Sequence, residues 1–90
     1  MIERKSALEQ PEIHRSGNLG VKIAKLLVDD GKEIDCQWHR TSIPIDGDVK
    51  AQISAVNANL VELGYPALSA EDISLIQQAH ALMVARYAPQ

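Results

Sequence analysis

Apolar and polar residues change their spacing near Ile45, which divides the chain into two parts. Before Ile45, apolar runs and alternating polar positions are separated by turn-forming residues, which is typical of β-strands. After it, apolar residues recur at intervals of three and four, as they do along one face of a helix. The pattern predicts an α+β fold: a three-stranded antiparallel β-meander over about 4–16, 19–29 and 32–44, then two α-helices over about 47–63 and 70–87.

Asp30-Gly31 joins the second and third predicted strands and is a strong hairpin signal, because a type I′ turn needs positive φ at both central residues. A two-residue turn fixes the register, and the face richer in large apolar groups is expected to face the core. On this face the register pairs Leu27 with Ile34, Lys25 with Cys36, Ile23 with Trp38, Val21 with Arg40 and Leu19 with Ser42. It therefore turns Trp38 and Cys36 inward and His39 outward.

Ser16-Gly17-Asn18 predicts a second turn, between the first and second strands. A three-residue loop would set Ile13 opposite Val21, whereas a two-residue loop would set His14 there. The three-residue loop is preferred because it buries an isoleucine rather than a histidine. Pro11 has no N–H to donate, so the first strand is expected to be an edge strand or to be interrupted there.

The first helix is predicted to follow Asp46-Gly47-Asp48, in which either aspartate can cap the free N–H groups of the first turn. Gly64 suits a left-handed position after the last turn, and Pro66 prevents the helix from continuing. The apolar stripe of this helix is expected to comprise Val49, Ile53, Val56, Leu60 and Leu63.

Ser69 is the expected N-cap of the second helix, with Asp72 three residues further on and Leu68 and Ile73 placed as a hydrophobic staple. The helix is expected to end at about 85–87, with Pro89 beyond it. Its apolar residues form two adjoining stripes: Ile73, Ile76, Met83 and Tyr87, and Leu75, Ala79 and Leu82. This arc is wide for a helix packed on one side, so part of it is expected to contact another subunit. The interface candidates are Leu75, Ala79, Leu82 and Arg86.

The chain has 90 residues, and we expect a single α+β domain over 1–90. Aromatic residues make up 3% and Phe is absent, so the core is expected to be aliphatic. The net charge of −3 argues against nucleic acid as a partner, since nucleic-acid binding depends on clustered Lys and Arg. No signal peptide or membrane-spanning run is recognised, so neither secretion nor a membrane partner is expected.

Cys36 and His39 lie three residues apart and could suggest a metal or catalytic pair. Positions three apart on a strand point to opposite faces, so these two side chains cannot share one ion. His14 and His80 lie on other elements, so a Cys–His pair formed by the fold stays open. An apolar site raises a thiol pKa, which makes Cys36 a poor nucleophile. We therefore expect no catalytic residues, no cofactor and no metal, and the chain is not expected to be an enzyme.

Three further residues or segments have expected structural roles. His80, between Ile76 and Met83, is expected to be a hydrogen-bonded packing residue. Arg40 is expected to stack on the neighbours of Trp38 or to pair with a carboxylate such as Asp46 or Asp48. The segment Asp46-Gly47-Asp48 lacks the bidentate Glu of an EF-hand loop, so a turn and cap are expected there rather than a calcium site.

The order of these features resembles that of small proteins encoded in the structural modules of tailed phages and prophages, near tail or tail-fibre genes. The resemblance covers Glu12 to Val56, and where those proteins have a Pro-Gly-Asp-Asp turn this chain has Pro44-Ile45-Asp46-Gly47-Asp48. It rests on the Ser16-Gly17-Asn18 turn, the hairpin around Asp29-Asp30-Gly31, the triplet Trp38-His39-Arg40 and the start of the first helix.

The resemblance implies a non-enzymatic structural or assembly component of a phage tail, baseplate or fibre that acts through protein–protein contacts. Its partners would be other phage structural proteins or further copies of itself, in the virion or in the host cytoplasm during assembly. The alternative is a small phage-encoded regulator or inhibitor of a host complex.

Overall fold

The computed structural model describes residues 1–87, which form four β-strands followed by two α-helices. This confirms the predicted α+β fold, while Pro89 lies outside the described residues. The elements are β1 (Ile2–Leu8), β2 (Glu12–His14), β3 (Asn18–Asp29), β4 (Lys32–Pro44), α1 (Val49–Glu62) and α2 (Ala70–Tyr87).

β3 is the central strand of one antiparallel sheet, with β4 along one edge and β1 and β2 in succession along the other. The amide of Glu9 still donates to the carbonyl of Lys22 at 2.9 Å, but Glu12 pairs with Gly20. Two residues, Gln10 and Pro11, therefore lie beside one residue of β3, which is a β-bulge. The predicted first strand is interrupted at Pro11, as the missing N–H of proline indicated.

The turn between β2 and β3 begins one residue earlier than predicted. His14 pairs with Asn18, so the loop comprises residues 15–17, and the amide of Gly17 donates to the carbonyl of His14 at 3.0 Å. Ile13 consequently lies opposite Leu19, and the prediction that it lies opposite Val21 is wrong. Since the shift is two residues, Ile13 keeps the predicted face of the sheet.

The β3–β4 hairpin starts as predicted and then changes register. Asp30 and Gly31 have φ of 50° and 82°, as a type I′ turn requires, and Val28 pairs with Glu33. The next pair is Leu27 with Asp35, so Ile34 is an extra residue in β4 and forms a β-bulge.

The bulge exchanges the faces of β4 beyond Ile34, because a shift of one residue reverses every side chain. Trp38 lies opposite Ala24, whereas His39 lies opposite Ile23 and Ile43 opposite Leu19. The predicted pairs of the core face beyond the turn are therefore wrong. Trp38, Cys36 and Arg40 occupy the face away from the core, and His39 occupies the core side.

Both helices pack on one face of the sheet and enclose an aliphatic core. Leu19, Ile23, Ile43, Leu60 and Met83 are almost fully buried, and no aromatic residue belongs to the fully buried set within residues 1–87. The remaining buried members of this core cluster are Val21, Ile53, Val56, Leu68, Ile76 and Ala79. The sheet supplies four of the cluster's residues and the helices and their connection supply the rest, so neither layer has a core without the other.

The helix ends match their local predictions. Asp48, rather than Asp46, caps α1, because its carboxylate accepts from the amide of Ala51 at 3.1 Å. Gly64 follows the last turn with φ of 87°, a left-handed conformation that an L-residue adopts only with strain. The hydroxyl of Ser69 accepts from the amide of Asp72 at 3.1 Å, as expected of the N-cap of α2.

Candidate protein-interaction surface

The face of the sheet turned away from the helices carries a group of apolar side chains, which we call the outer face. Trp38 lies at its centre opposite Ala24, and Cys36 lies opposite Leu26. Trp38 is 42% exposed, although tryptophan is the largest apolar side chain in the chain. By the alternation of the strands, the outer face comprises Lys22, Ala24, Leu26 and Val28 of β3 and Cys36, Trp38 and Arg40 of β4.

Trp38 and its neighbours cover part of this face themselves. Ala24, which lies between Ala7 and Trp38 in the sheet, is 4% exposed although it is not a member of the helix-backed core cluster. The ammonium of Lys22 lies 4.0 Å from the centroid of the Trp38 ring, close enough for a cation–π interaction. A partly exposed tryptophan with a cation beside it is typical of a protein-binding surface.

Cys36 is half-buried in the outer face, and its surroundings disfavour the reactive thiolate. Partial burial is the main cause that raises the pKa of its thiol, and the negative charges of Glu33, Asp35 and Glu9 raise the pKa further. Lys22 acts in the opposite direction and lowers it. Because the thiolate is the nucleophile, a raised pKa leaves Cys36 mostly protonated at neutral pH.

The edge of β4 that faces away from β3 is the longest open strand edge. Within residues 1–87, β4 pairs with β3 alone, and it is 13 residues long. The opposite edge of the sheet is divided by the bulge at Pro11 into strands of 7 and 3 residues. An open edge presents unpaired N–H and C=O groups to which another strand can add.

A cleft of about 490 Å³ lies at one end of the outer face, where β1 gives way to β2. Its charged lining residues are of both signs: Glu9, Glu12, Lys22 and Arg40. His14 lies beside it, with Nε2 3.8 Å from a carboxylate oxygen of Glu12. Within residues 1–87, no group of three or more His, Cys, Asp or Glu side chains is arranged to hold a metal ion.

His80 and Arg40, whose roles were predicted from the sequence, lie on different sides of the sheet. Within residues 1–87, no described hydrogen bond joins His80 to Cys36. His80 is buried and its Nε2 bonds to the carbonyl of Pro44 at 3.0 Å, which confirms the expected packing role. Arg40 is exposed and forms no ion pair within residues 1–87, so of its two expected roles the pairing with Asp46 or Asp48 is wrong. The register reversal explains this, since Arg40 lines the cleft at the end of the outer face rather than lying on the core side.

The predicted interface residues of α2 divide between the core and the surface. Ala79 is 8% exposed and belongs to the core cluster, whereas Leu75 and Leu82 are 44% and 64% exposed. Arg86 is also exposed, and its guanidinium stacks over the ring of Tyr87 at 5.5 Å from the centroid. The outer stripe of α2 therefore stays open, but with fewer apolar groups than the predicted arc.

Sequence reasoning missed the outer face because it placed Trp38 in the core. One sequence feature indicated the error: in the register without a bulge, Ile43 points away from the face of Leu19. Adding one residue to β4 sets Ile43 directly opposite Leu19, where both are buried.

Neither helix within residues 1–87 is both long and apolar enough to cross a membrane. No protein-family model, curated protein or solved structure matches the chain.

Proposed function

We propose that the chain is a non-enzymatic structural or assembly component of a tailed phage that acts through protein–protein contacts. The observation that carries this proposal is the outer face, where Trp38 stays 42% exposed beside Leu26, Cys36 and Ala24. The resemblance of Glu12 to Val56 to proteins of phage tail regions supplies the biological setting.

Physical considerations favour a protein as the partner of this surface. Trp and Arg are the residue types that most often dominate binding energy, and Trp38 lies two positions from Arg40 on the same face. Lys22 and Arg40 provide a polar rim beside the apolar centre, which is the usual arrangement of a protein interface. Ile34, 52% exposed at the bulge, adds a second large apolar group near the open edge of β4.

The shape of the molecule also suits an assembly component. The molecule measures 53 × 20 × 18 Å. It has two layers, and its strands β3 and β4 have 12 and 13 residues. A partner that binds along the outer face and the open edge could therefore contact a surface much longer than the molecule is wide.

The proposal is tested in particles of the phage that encodes the chain. A phage lacking the gene is complemented with the wild-type chain, with Trp38→Ala or with Val61→Ala, and purified particles and tail intermediates are analysed by quantitative mass spectrometry. Val61 is the matched control, since it is 60% exposed on α1 and far from the outer face.

We expect the wild-type chain and Val61→Ala in particles or tail intermediates, and strong loss of Trp38→Ala from both. Absence of the wild-type chain from particles and intermediates alike would overturn the proposal. Recovery of the chain in a defined complex with a host protein instead would favour a regulator or inhibitor.

A further inference from the structure

The open edge of β4 has a regular central part bounded by two irregularities. The bulge at Ile34 interrupts pairing near the hairpin turn, and Pro44 ends the strand without an N–H. Between them, residues 35–43 contain neither proline nor glycine. A partner strand would therefore pair most regularly within 35–43.

We propose that β4 pairs in antiparallel fashion with β4 of a second copy of this chain, with Gln37 opposite Gln37 on a two-fold axis. This inference rests on the proposed function, because it names a partner for the same surface. It would join two sheets across their open edges and leave the opposite, interrupted edges outermost.

The symmetry of such a pair restricts its register. Two antiparallel strands at a sheet edge are related by an axis perpendicular to the sheet, which keeps the helix-covered faces of both copies on the same side. Directly opposed side chains must then point to the same face, so a residue can oppose only residues an even number of positions away. Asp35 cannot oppose Arg40 in this arrangement, but it can oppose His39.

The side chain opposite Asp35 distinguishes the register centred on Gln37 from the other allowed ones. In that register, Asp35 of each copy lies opposite His39 of the other, so the contact occurs twice. An imidazole N–H can donate to a carboxylate. Centring the pair on Trp38 sets Asp35 opposite Thr41, and centring it on His39 sets two histidines opposite each other. Of these three registers, the first is the one that sets an imidazole opposite Asp35.

The same register joins the two outer faces. Cys36 lies opposite Trp38 of the second copy, so each Trp38 gains a neighbour on the side away from β3. Within each copy, Cys36 already lies opposite Leu26 and Trp38 opposite Ala24. In the dimer, the row Leu26–Cys36 of one copy therefore continues into the row Trp38–Ala24 of the other. These two rows cover the tryptophans, which are half exposed in a single copy.

The position of the helices leaves room for this pairing. Ile43 is the residue of β4 that belongs to the core cluster, near the end of the strand farthest from the turn. In the proposed register, Ile43 lies beyond Lys32 of the second copy. The two Ile43 residues are then twelve positions apart along the strands, or roughly 40 Å, so the two helical layers occupy opposite ends.

Disulfide trapping tests the register in a Cys36→Ser background. Gln37→Cys places two thiols directly opposite each other, with Cβ atoms roughly 4.5–5.5 Å apart, close to what a disulfide needs. Asp35→Cys is the matched control, because the two copies of this residue lie roughly 13 Å apart. Both positions are exposed, so both variants should fold.

We expect several-fold more covalent dimer from Gln37→Cys than from Asp35→Cys under mild oxidation. Equal yields, or more dimer from Asp35→Cys, would overturn the register. A chain that sediments as a monomer at high protein concentration would overturn the pairing with a second copy.

Charge reversal provides a second test that needs no thiol. Asp35→Lys or His39→Glu alone should weaken dimerisation in sedimentation equilibrium, and the double variant should restore it. Asp35 and His39 of one copy are four positions apart on the strand, too far to contact each other, so restoration reports a contact between copies. A double variant that dimerises no better than either single variant contradicts the Asp35–His39 contact.

The dimer and the proposed function can fail separately. A purified chain that stays monomeric, while Trp38→Ala still removes it from particles, would overturn the dimer and leave the assembly role with a different partner. A trapped dimer in a chain that is absent from particles and intermediates would keep the dimer and overturn the assembly role.

Discussion

His80 of α2 donates a hydrogen bond from Nε2 to the backbone carbonyl of Pro44, at 3.0 Å and across 36 residues of sequence. The same carbonyl accepts from the amide of Gly47 at 2.9 Å. These two bonds fasten the end of β4 to the turn before α1 and to the middle of α2. The imidazole therefore joins the sheet layer to the helix layer, and the histidine is 9% exposed.

Substituting His80→Ala should lower the free energy of unfolding by about 1–3 kcal/mol, because it removes a buried hydrogen-bond donor and leaves a small cavity. Urea unfolding measures this change. His14→Ala is the control, since His14 lies on the exposed strand β2, and it should change stability by less than about 0.5 kcal/mol. Equal effects of the two substitutions would contradict the role of the His80–Pro44 bond.

The register of β4 predicts different costs in stability for replacing two of its large apolar residues. Ile43→Ala should cost about 2–5 kcal/mol, because Ile43 is 1% exposed in the core. Trp38→Ala should cost much less, since the tryptophan is half exposed and its contact with Lys22 is worth about 0.5–1 kcal/mol. Urea unfolding of both variants gives the comparison. A larger loss from Trp38→Ala would instead support the register without a bulge.

The sequence predicts the local features of this fold better than the pairing of its strands. The Asp30-Gly31 turn and the caps at Asp48 and Ser69 depend on backbone conformations and hydrogen bonds within a few residues, and all are present. The bulge at Ile34 has a different origin. The bulge sets Ile43 of β4 opposite Leu19 of β3, far from the hairpin turn. Both residues pack against the helices, so the bulge depends on contacts with elements that come later in the chain.

The candidate surface was only partly predictable for the same reason. Of the interface residues predicted from the wide apolar arc of α2, Leu75 and Leu82 are exposed, whereas Ala79 belongs to the core. Trp38 reached the surface through the one-residue shift, which hydrophobic alternation alone does not encode. Within β3, both faces of residues 23–28 carry apolar groups, so this strand could not reveal which face the helices cover.

The two aspartates before α1 differ in what they contribute. Asp48→Ala should lower the free energy of unfolding by about 1 kcal/mol, since it removes the acceptor for the amide of Ala51. Asp46→Ala, two residues earlier on the exposed turn, is the matched control and should have little effect. Thermal unfolding followed by circular dichroism compares the variants. Similar losses from both would mean that the charge near the helix start matters more than the cap.

The thiol of Cys36 provides a test of the electrostatics of the outer face. Because partial burial and nearby carboxylates raise the pKa of Cys36, alkylation by iodoacetamide should be slow at neutral pH and should accelerate above the ordinary thiol range. Glu33→Gln removes a negative charge, which lowers the pKa and speeds alkylation at a fixed pH. Lys22→Ala removes the cation that favours the thiolate, so it should slow the reaction.

Opposite responses to the Glu33 and Lys22 substitutions would establish that charge, and not access of the reagent alone, controls the reactivity of Cys36. The raised pKa of Cys36 also determines how this thiol affects the stability of the fold as the pH changes. A thiol whose pKa is raised by folding favours the folded state at neutral pH, and this contribution is lost as the pH rises through the folded-state pKa. A rate of alkylation that has already reached its plateau at neutral pH would show a thiolate, and would reopen Cys36 as a candidate nucleophile.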